Sequence, residues 1–288
     1  MEKAKHAPLL IAIVFAVITA FPLLNKGLLP THDGEYHVIR FYEFDKTLRG
    51  GDWYPRWAPD LNYGHGIPLF NYVYPLPNYV ASLLHFLGAS FIDAFKINMF
   101  IATILGAIFF YLWTRIFWGN IGGAISSVFY TLSPYHLVDI YIRGSVGEVW
   151  ALALFPGFLW GLTMLINTQK KIFMILSGAF FAAIIFSHNI LGLMFVPFAL
   201  SYALLLLYQK KNIKKLLIYV LVTFFWGVGL SAIFWLPALL EKQYVTGLQI
   251  FTIADNFPEI YQLLLPSWGS GFSNGSIQNQ MSLLFFCG

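Results

Sequence analysis

Charge is what this sequence has least of. Only 10% of its 288 residues are charged, whereas 58% are hydrophobic. A soluble domain carries about 25% charged residues, so an ordinary water-soluble enzyme is excluded. Cysteine is almost absent: Cys287 stands alone, and no internal disulfide can form. The signatures of common soluble enzymes are missing too. There is no GxxxxGK[ST] loop, no GxGxxG after a strand, no HExxH and no GxSxG. No solenoid repeat or low-complexity tract is present. The net charge of +4 does not point to nucleic acid. Lys and Arg fall in short groups between apolar runs, as they do in cytosolic membrane loops.

What the sequence has in abundance is apolar runs approaching the ~20 residues that cross a bilayer. They predict an all-α, polytopic membrane protein made of one multi-span domain over residues 1–288. The expected spans are 8–24, 94–114, 120–134, 146–167, 172–187, 190–208 and 215–236. The first follows Lys3, Lys5 and His6, and Ile18 to Pro22 is a poor cleavage site, so it reads as an uncleaved helix. The chain stops inside an apolar run after Met281, which reads as the start of a further span in a longer protein.

Lys170 and Lys171, and Lys210, Lys211, Lys214 and Lys215, mark cytosolic loops. The N-terminus is then cytosolic and the membrane is the plasma membrane. Residues 76–88, at about thirteen residues, are too short to cross and form an outer-surface or re-entrant helix. Every acidic residue except Glu2 falls on the outer face, whose long segments are 25–93, 135–145 and 237–280. The chemistry is expected there.

Three polar groups stand out on that face. The first is residues 31–37, THDGEYH. Pro30 and Thr31 look like a helix start, with Asp33 and Glu35 suited to its first turn. A helix running to about Leu48 puts Asp33, His37 and Arg40 on one face, near His32. The plain alternative is that Asp33 only caps that helix. Asp33 with His37 could also hold a divalent cation. The second is the aromatic stretch from Trp53 to Pro75, fit for an interfacial belt or for stacking on sugar rings. Within it Arg56 could meet a phosphate or pair with Asp52 or Asp60. The third is residues 133–148, SPYHLVDIYIRGSVGE. Asp139, Arg143 and Glu148 are costly at a membrane boundary unless paired or facing an aqueous cavity. Arg143 suits a phosphate, or a pair with Glu148 that fixes the loop. His188 sits in a turn on the same face, either as structure or as site lining. Glu241, Asp255 and Glu259 occupy the last outer segment.

The motifs THDGEYH, WYPRWAPDLNYGHGIP, SPYHLVDIYIRGSVGE and SHN resemble bacterial membrane proteins called 6-pyruvoyl-tetrahydropterin synthase-related. A first span, a long outer loop with an acidic start and the stretch Arg115 to Gly119 also resemble the GT-C superfamily of membrane glycosyltransferases. The soluble pterin synthase itself, with its zinc-binding histidine cluster, has no counterpart here. The GT-C resemblance implies a helical bundle whose outer first loop carries juxtamembrane helices. It implies a polyprenyl-phosphate-linked sugar donor and an outer-face site in the cell envelope. Asp33 matches the acidic residue of that first loop, as general base or metal support, with Glu35 as a second carboxylate. His32, His37, Arg40, Arg56, Arg143, Glu148 and His188 are then the candidate substrate-binding residues. No cofactor is implied beyond a divalent cation. The other readings are a transporter or flippase of lipid-linked glycans, and a non-catalytic membrane scaffold.

Overall fold

The computed structural model describes residues 7–208 and 210–245. Among them the chain is helical, with no strand beyond an isolated bridge between Ala58 and Ile67. Helices α1 (Ala7–Ala20, continued by a 3-10 turn Phe21–Leu24), α4 (Phe91–Thr131), α6 (Val146–Thr168), α8 (Asn189–Tyr208) and α9 (Ile213–Leu230) are long and apolar enough to cross a bilayer. Helix α7 (Lys171–Ser187) is apolar and slightly shorter. The protein is a polytopic helical membrane protein. Helices suit that solvent because each satisfies its own backbone hydrogen bonds where no water can.

Helix α4 would be about 60 Å long if straight, twice the ~30 Å of bilayer hydrocarbon. It is not straight. Gly119 adopts φ 68° and ψ −177°, a conformation open to glycine, and the chain reverses there. The Ser127 hydroxyl donates to the carbonyl of Ala107 at 2.7 Å, and the Phe110 ring stacks on Tyr130 at 4.2 Å. Residues 91–118 and 120–131 are therefore antiparallel legs of one hairpin. The second leg ends at Thr131, short of the expected 134, because Pro134 starts the brief helix α5 (Pro134–Val138).

Helix α6 is the most buried span. It packs between α4 and α7, while α1 leans on α4 and α9 on α7. At its C-terminal end Lys210 Nζ meets Asn167 Oδ1 and Lys215 Nζ meets Gln169 Oε1, both at 3.0 Å. Lysines thus gather about 30 Å along α6 from Glu148 in its first turn.

Between the first two spans lie α2 (Gly34–Arg49) and α3 (Leu76–Phe86), with a small core of Phe44, Ala58 and Phe70. Helix α2 runs essentially as the spacing predicts. It crosses the start of α4, with His37 6.1 Å from Phe95 and Tyr42 5.9 Å from Phe91 between ring centres. Helix α3, with 11 residues, is too short to cross. It buries Pro77, Asn78, Ala81 and Ser82 and leaves Leu83 and Phe86 exposed. Asn98 binds the α3 segment by donating to the carbonyl of Pro77 at 2.8 Å. Lys96 donates to the carbonyl of Asn25 at 2.9 Å.

The expected last span, 215–236, is interrupted. Helix α9 stops at Leu230 and α10 (Ala232–Glu241) follows. The Ser231 hydroxyl bonds back to the carbonyls of Gly227 and Val228, which bends a helix at that point. The chain therefore stays helical through Glu241. Asp255, Glu259 and the apolar tail after Met281 lie outside the described residues.

Gly119→Ala is expected to cost about 1–3 kcal/mol, because alanine must hold a strained backbone there. Gly229→Ala, with no atom within 4 Å of the added carbon, is the near-neutral control. Unfolding midpoints in detergent check both.

Candidate functional site

The start of α2 is built from short-range chemistry. The Thr31 hydroxyl accepts the Gly34 N–H at 3.2 Å, so Thr31 caps the helix. The reading of Asp33 as the cap is corrected: its side chain makes no cap hydrogen bond. Its carboxylate has no hydrogen bond or ion pair among the described residues. Its backbone is held firmly, however. The His32 N–H donates to the carbonyl of Ile142 at 2.9 Å, and the Asp33 N–H to that of Arg143 at 2.8 Å. The first motif is thus stitched to the third, 110 residues away.

That third motif forms α5 followed by a π-helical turn, Asp139–Arg143, which ends at left-handed Gly144. Such turns recur at functional sites. A Cβ on Gly144 would lie 2.3 Å from Thr31 Oγ1, and one on Gly147 2.3 Å from Tyr74, so both close approaches require glycine. Arg143 forks onto Glu148, with Nη1 at 2.8 Å from Oε2 and Nη2 at 2.5 Å from Oε1. Its Nη1 also reaches Asp139 Oδ1 at 3.1 Å. The Tyr135 hydroxyl donates to Glu148 at 2.6 Å. Asp139 is fully buried and its Oδ2 has no partner among the described residues. Burial, then the nearby Glu148 charge, pushes the Asp139 carboxyl well above the usual range. A protonated Asp139 leaves one net charge pair, Arg143 with Glu148. The same burial pushes the Tyr135 hydroxyl up.

His188 closes the cluster. Its Nδ1 accepts the Leu191 N–H at 3.2 Å, capping α8. A neutral His188 therefore carries its proton on Nε2, which lies 3.8 Å from Glu148 Oε1. His188 thus has the structural role of a helix cap and also lies beside Glu148. The Tyr74 ring lies 5.1 Å from His188, and burial pushes its hydroxyl up to about 12. Four charges act on Tyr74 after burial: Arg40, Glu148, Asp33 and Arg143.

Arg40 is half-buried and, among the described residues, has no hydrogen bond or ion pair. It stands seven residues from Asp33 on the same face of α2, about 10 Å along the axis. The two opposite charges form no ion pair with each other. His37, between them in sequence, is buried beside Phe41 and Phe95. Burial, then Arg40 and His188, lowers it to about 3.

Other expected residues lie elsewhere. His32 and Glu35 are exposed. Arg56 pairs with neither Asp52 nor Asp60, which corrects that alternative. It contacts Asn71 Oδ1 at 2.6 and 2.9 Å and Glu241 Oε2 at 2.5 Å. Asp60 is taken by Lys46, and Asp52 accepts the Tyr54 N–H. Among the described residues no group of three or more His, Cys, Asp or Glu could hold a metal. Sequence reasoning missed Tyr74, which is lost among many aromatics. Its only local sign is its place just before Pro75.

A family profile described as "6-pyruvoyl-tetrahydropterin synthase related domain; membrane protein" matches residues 70–267. That span holds Tyr74, Arg143, Glu148 and His188 and begins after Asp33 and Arg40. A Lactococcus lactis subsp. cremoris protein described as "Uncharacterized protein" is 22% identical over 240 residues. The match covers 80% of this chain and 39% of that protein, so the chain spans about two fifths of its relative's length. No solved structure matches.

Two measurements probe the cluster. Glu148→Gln removes the carboxylate that neutralises Arg143 and is expected to destabilise by about 3 kcal/mol, as breaking a buried pair does. Unfolding in detergent reads the change. Below pH 6.5 the unfolded chain protonates His37, whereas the folded chain resists this down to about 3. Stability therefore falls on acidification through that window, by at most about 1.4 kcal/mol per pH unit. His37→Asn should flatten the slope in unfolding curves taken at successive pH values.

Proposed function

The chain belongs to the 6-pyruvoyl-tetrahydropterin synthase related family of membrane proteins, and we propose that its chemistry is glycosyl transfer from a polyprenyl-phosphate-linked sugar. The observation that carries this reading is the pair Asp33 and Arg40. Each is half-buried, each lacks a partner among the described residues, and both act on half-buried Tyr74. An unpaired carboxylate and an unpaired guanidinium on one face of α2 suit a reaction that needs a base and an anion ligand.

The polyprenyl tail lies in lipid and the phosphate-sugar head enters at the boundary. Arg40 binds the phosphate through its guanidinium fork. Arg143, first in line from the sequence, has both terminal nitrogens engaged by Asp139 and Glu148 and serves instead to fix the turn. An acceptor hydroxyl attacks the anomeric carbon. The bond from that carbon to the phosphate oxygen breaks, and polyprenyl phosphate leaves with the electron pair. Asp33 takes the hydroxyl proton. A positioned base of this kind supplies roughly 10²–10⁴-fold. One displacement inverts the anomeric centre. Tyr74, neutral throughout the physiological range, offers a hydroxyl that both charges influence.

The lysines at the far end of α6 support placing the site on the outer face of the plasma membrane, with the lysines cytosolic. The resemblance to GT-C glycosyltransferases agrees with this arrangement.

Asp33→Asn is expected to lower release of polyprenyl phosphate from a panel of polyprenyl-phosphate sugars by at least about 100-fold. Arg40→Gln should raise the donor concentration needed for half-maximal rate. Chromatography of the released lipid phosphate measures both. Full release by Asp33→Asn, or none from any donor by the wild type, overturns the reading.

A further inference from the structure

The far end of α2 carries a cavity with polar side chains that the transfer reaction does not use. Asp33 and Arg49 stand at opposite ends of the helix, about 24 Å apart along its axis. Around the C-terminal end lies a cavity of about 300 Å³ lined by Tyr42, Asp45, Lys46, Arg49, His85 and Phe91.

Its charges are arranged for an anion. Asp45 is buried and accepts from Arg49 Nε at 2.7 Å. That bond fixes the guanidinium, and its two terminal nitrogens have no partner among the described residues. Lys46 lies beside Arg49 and is held by Asp60 at 2.6 Å. His85 Nδ1 bonds the carbonyl of Ala89 at 2.8 Å, so this nitrogen carries a proton. Its Nε2 lies 4.0 Å from Asp45. Each acid is thus engaged by its own cation or imidazole, and the guanidinium fork is left over. Cations in a last helical turn ordinarily match the helix's partial negative end. Here one of them faces a cavity with aromatic walls.

The cavity's position selects the ligand. Phe91 opens a membrane-spanning helix, and the His85 ring stacks on it at 4.0 Å. The apolar side chains at the same end of α3 point outward: Leu83 is 58%, Phe86 76% and Leu87 71% exposed. A polar pocket with a guanidinium fork therefore sits directly beside bare apolar surface at a span's first residue. Acyl chains cover such surface, and the phosphate that belongs with them lies at the height of the pocket.

We infer that this cavity seats the phosphodiester head group of an anionic membrane phospholipid, with the Arg49 fork on the phosphate, Lys46 adding its charge from its place beside Asp60, and the acyl chains over Leu83, Phe86 and Leu87. The lipid would brace α2 against α3 and α4.

Native mass spectrometry of the purified protein released from nanodiscs tests this. Discs contain equal amounts of phosphatidylglycerol and phosphatidylcholine, the second carrying a cation that repels Arg49 and Lys46. The wild type should retain phosphatidylglycerol preferentially. That preference should fall roughly fivefold for each cation removed in Lys46→Gln and Arg49→Gln, and should survive in Lys46→Arg. Equal retention of both lipids by the wild type overturns the inference without need of any variant. So does undiminished preference in Arg49→Gln. Inorganic phosphate is added to the detergent-solubilised protein in a separate arm. Thermal stabilisation by phosphate with no lipid preference would assign the site to a free anion and overturn the lipid assignment.

Discussion

The fork of Arg143 onto Glu148 is the contact on which the α2 end of the bundle depends. Glu148 lies in the first turn of the most buried span, where a lone carboxylate would be prohibitively costly. Arg143 reaches it only because the π-helical turn and left-handed Gly144 swing the chain back over α6. Once the turn is fixed, the carbonyls of Ile142 and Arg143 point at the His32 and Asp33 N–H groups. The position of α2 therefore follows from an ion pair formed elsewhere in the chain.

The same contact divides labour between two arginines. Arg143 spends its terminal donors on two buried carboxyls, and what it gains is geometry. Arg40 spends nothing within the described residues and keeps a full charge near Tyr74. A ligand anion meets a free guanidinium more favourably than one that must first leave Glu148. Half-buried Asp33 likewise has no partner among the described residues, which suits the acid-base role proposed for it. His37 does not compete, because burial beside Phe41 and Phe95 keeps it uncharged.

Helix α2 joins two different environments. Its N-terminal end meets the ion cluster over α6, and its C-terminal end meets the first residue of α4 and the exposed apolar tip of α3. Its middle is held by aromatic contacts with Phe91 and Phe95. A displacement at either end is thus carried to the other by a rigid rod of four turns.

The sequence by itself determined that this is a helical membrane protein, because span length and apolar composition leave no other way to satisfy the backbone in lipid. It also determined where polar chemistry could lie, since Asp33, Arg40, Arg143, Glu148 and His188 are conspicuous in so apolar a chain. The extent of α2 was legible from spacing and a proline-threonine start. Partnership was not. Whether Arg143 was free or paired, whether Arg56 met Asp60 or Glu241, and which of Thr31 and Asp33 capped α2 depend on contacts between distant segments. No local pattern encodes those. Tyr74 was hidden among aromatics that all suit a membrane boundary. Only the tertiary structure, by bringing Gly147 against its ring and His188 beside it, set this tyrosine apart.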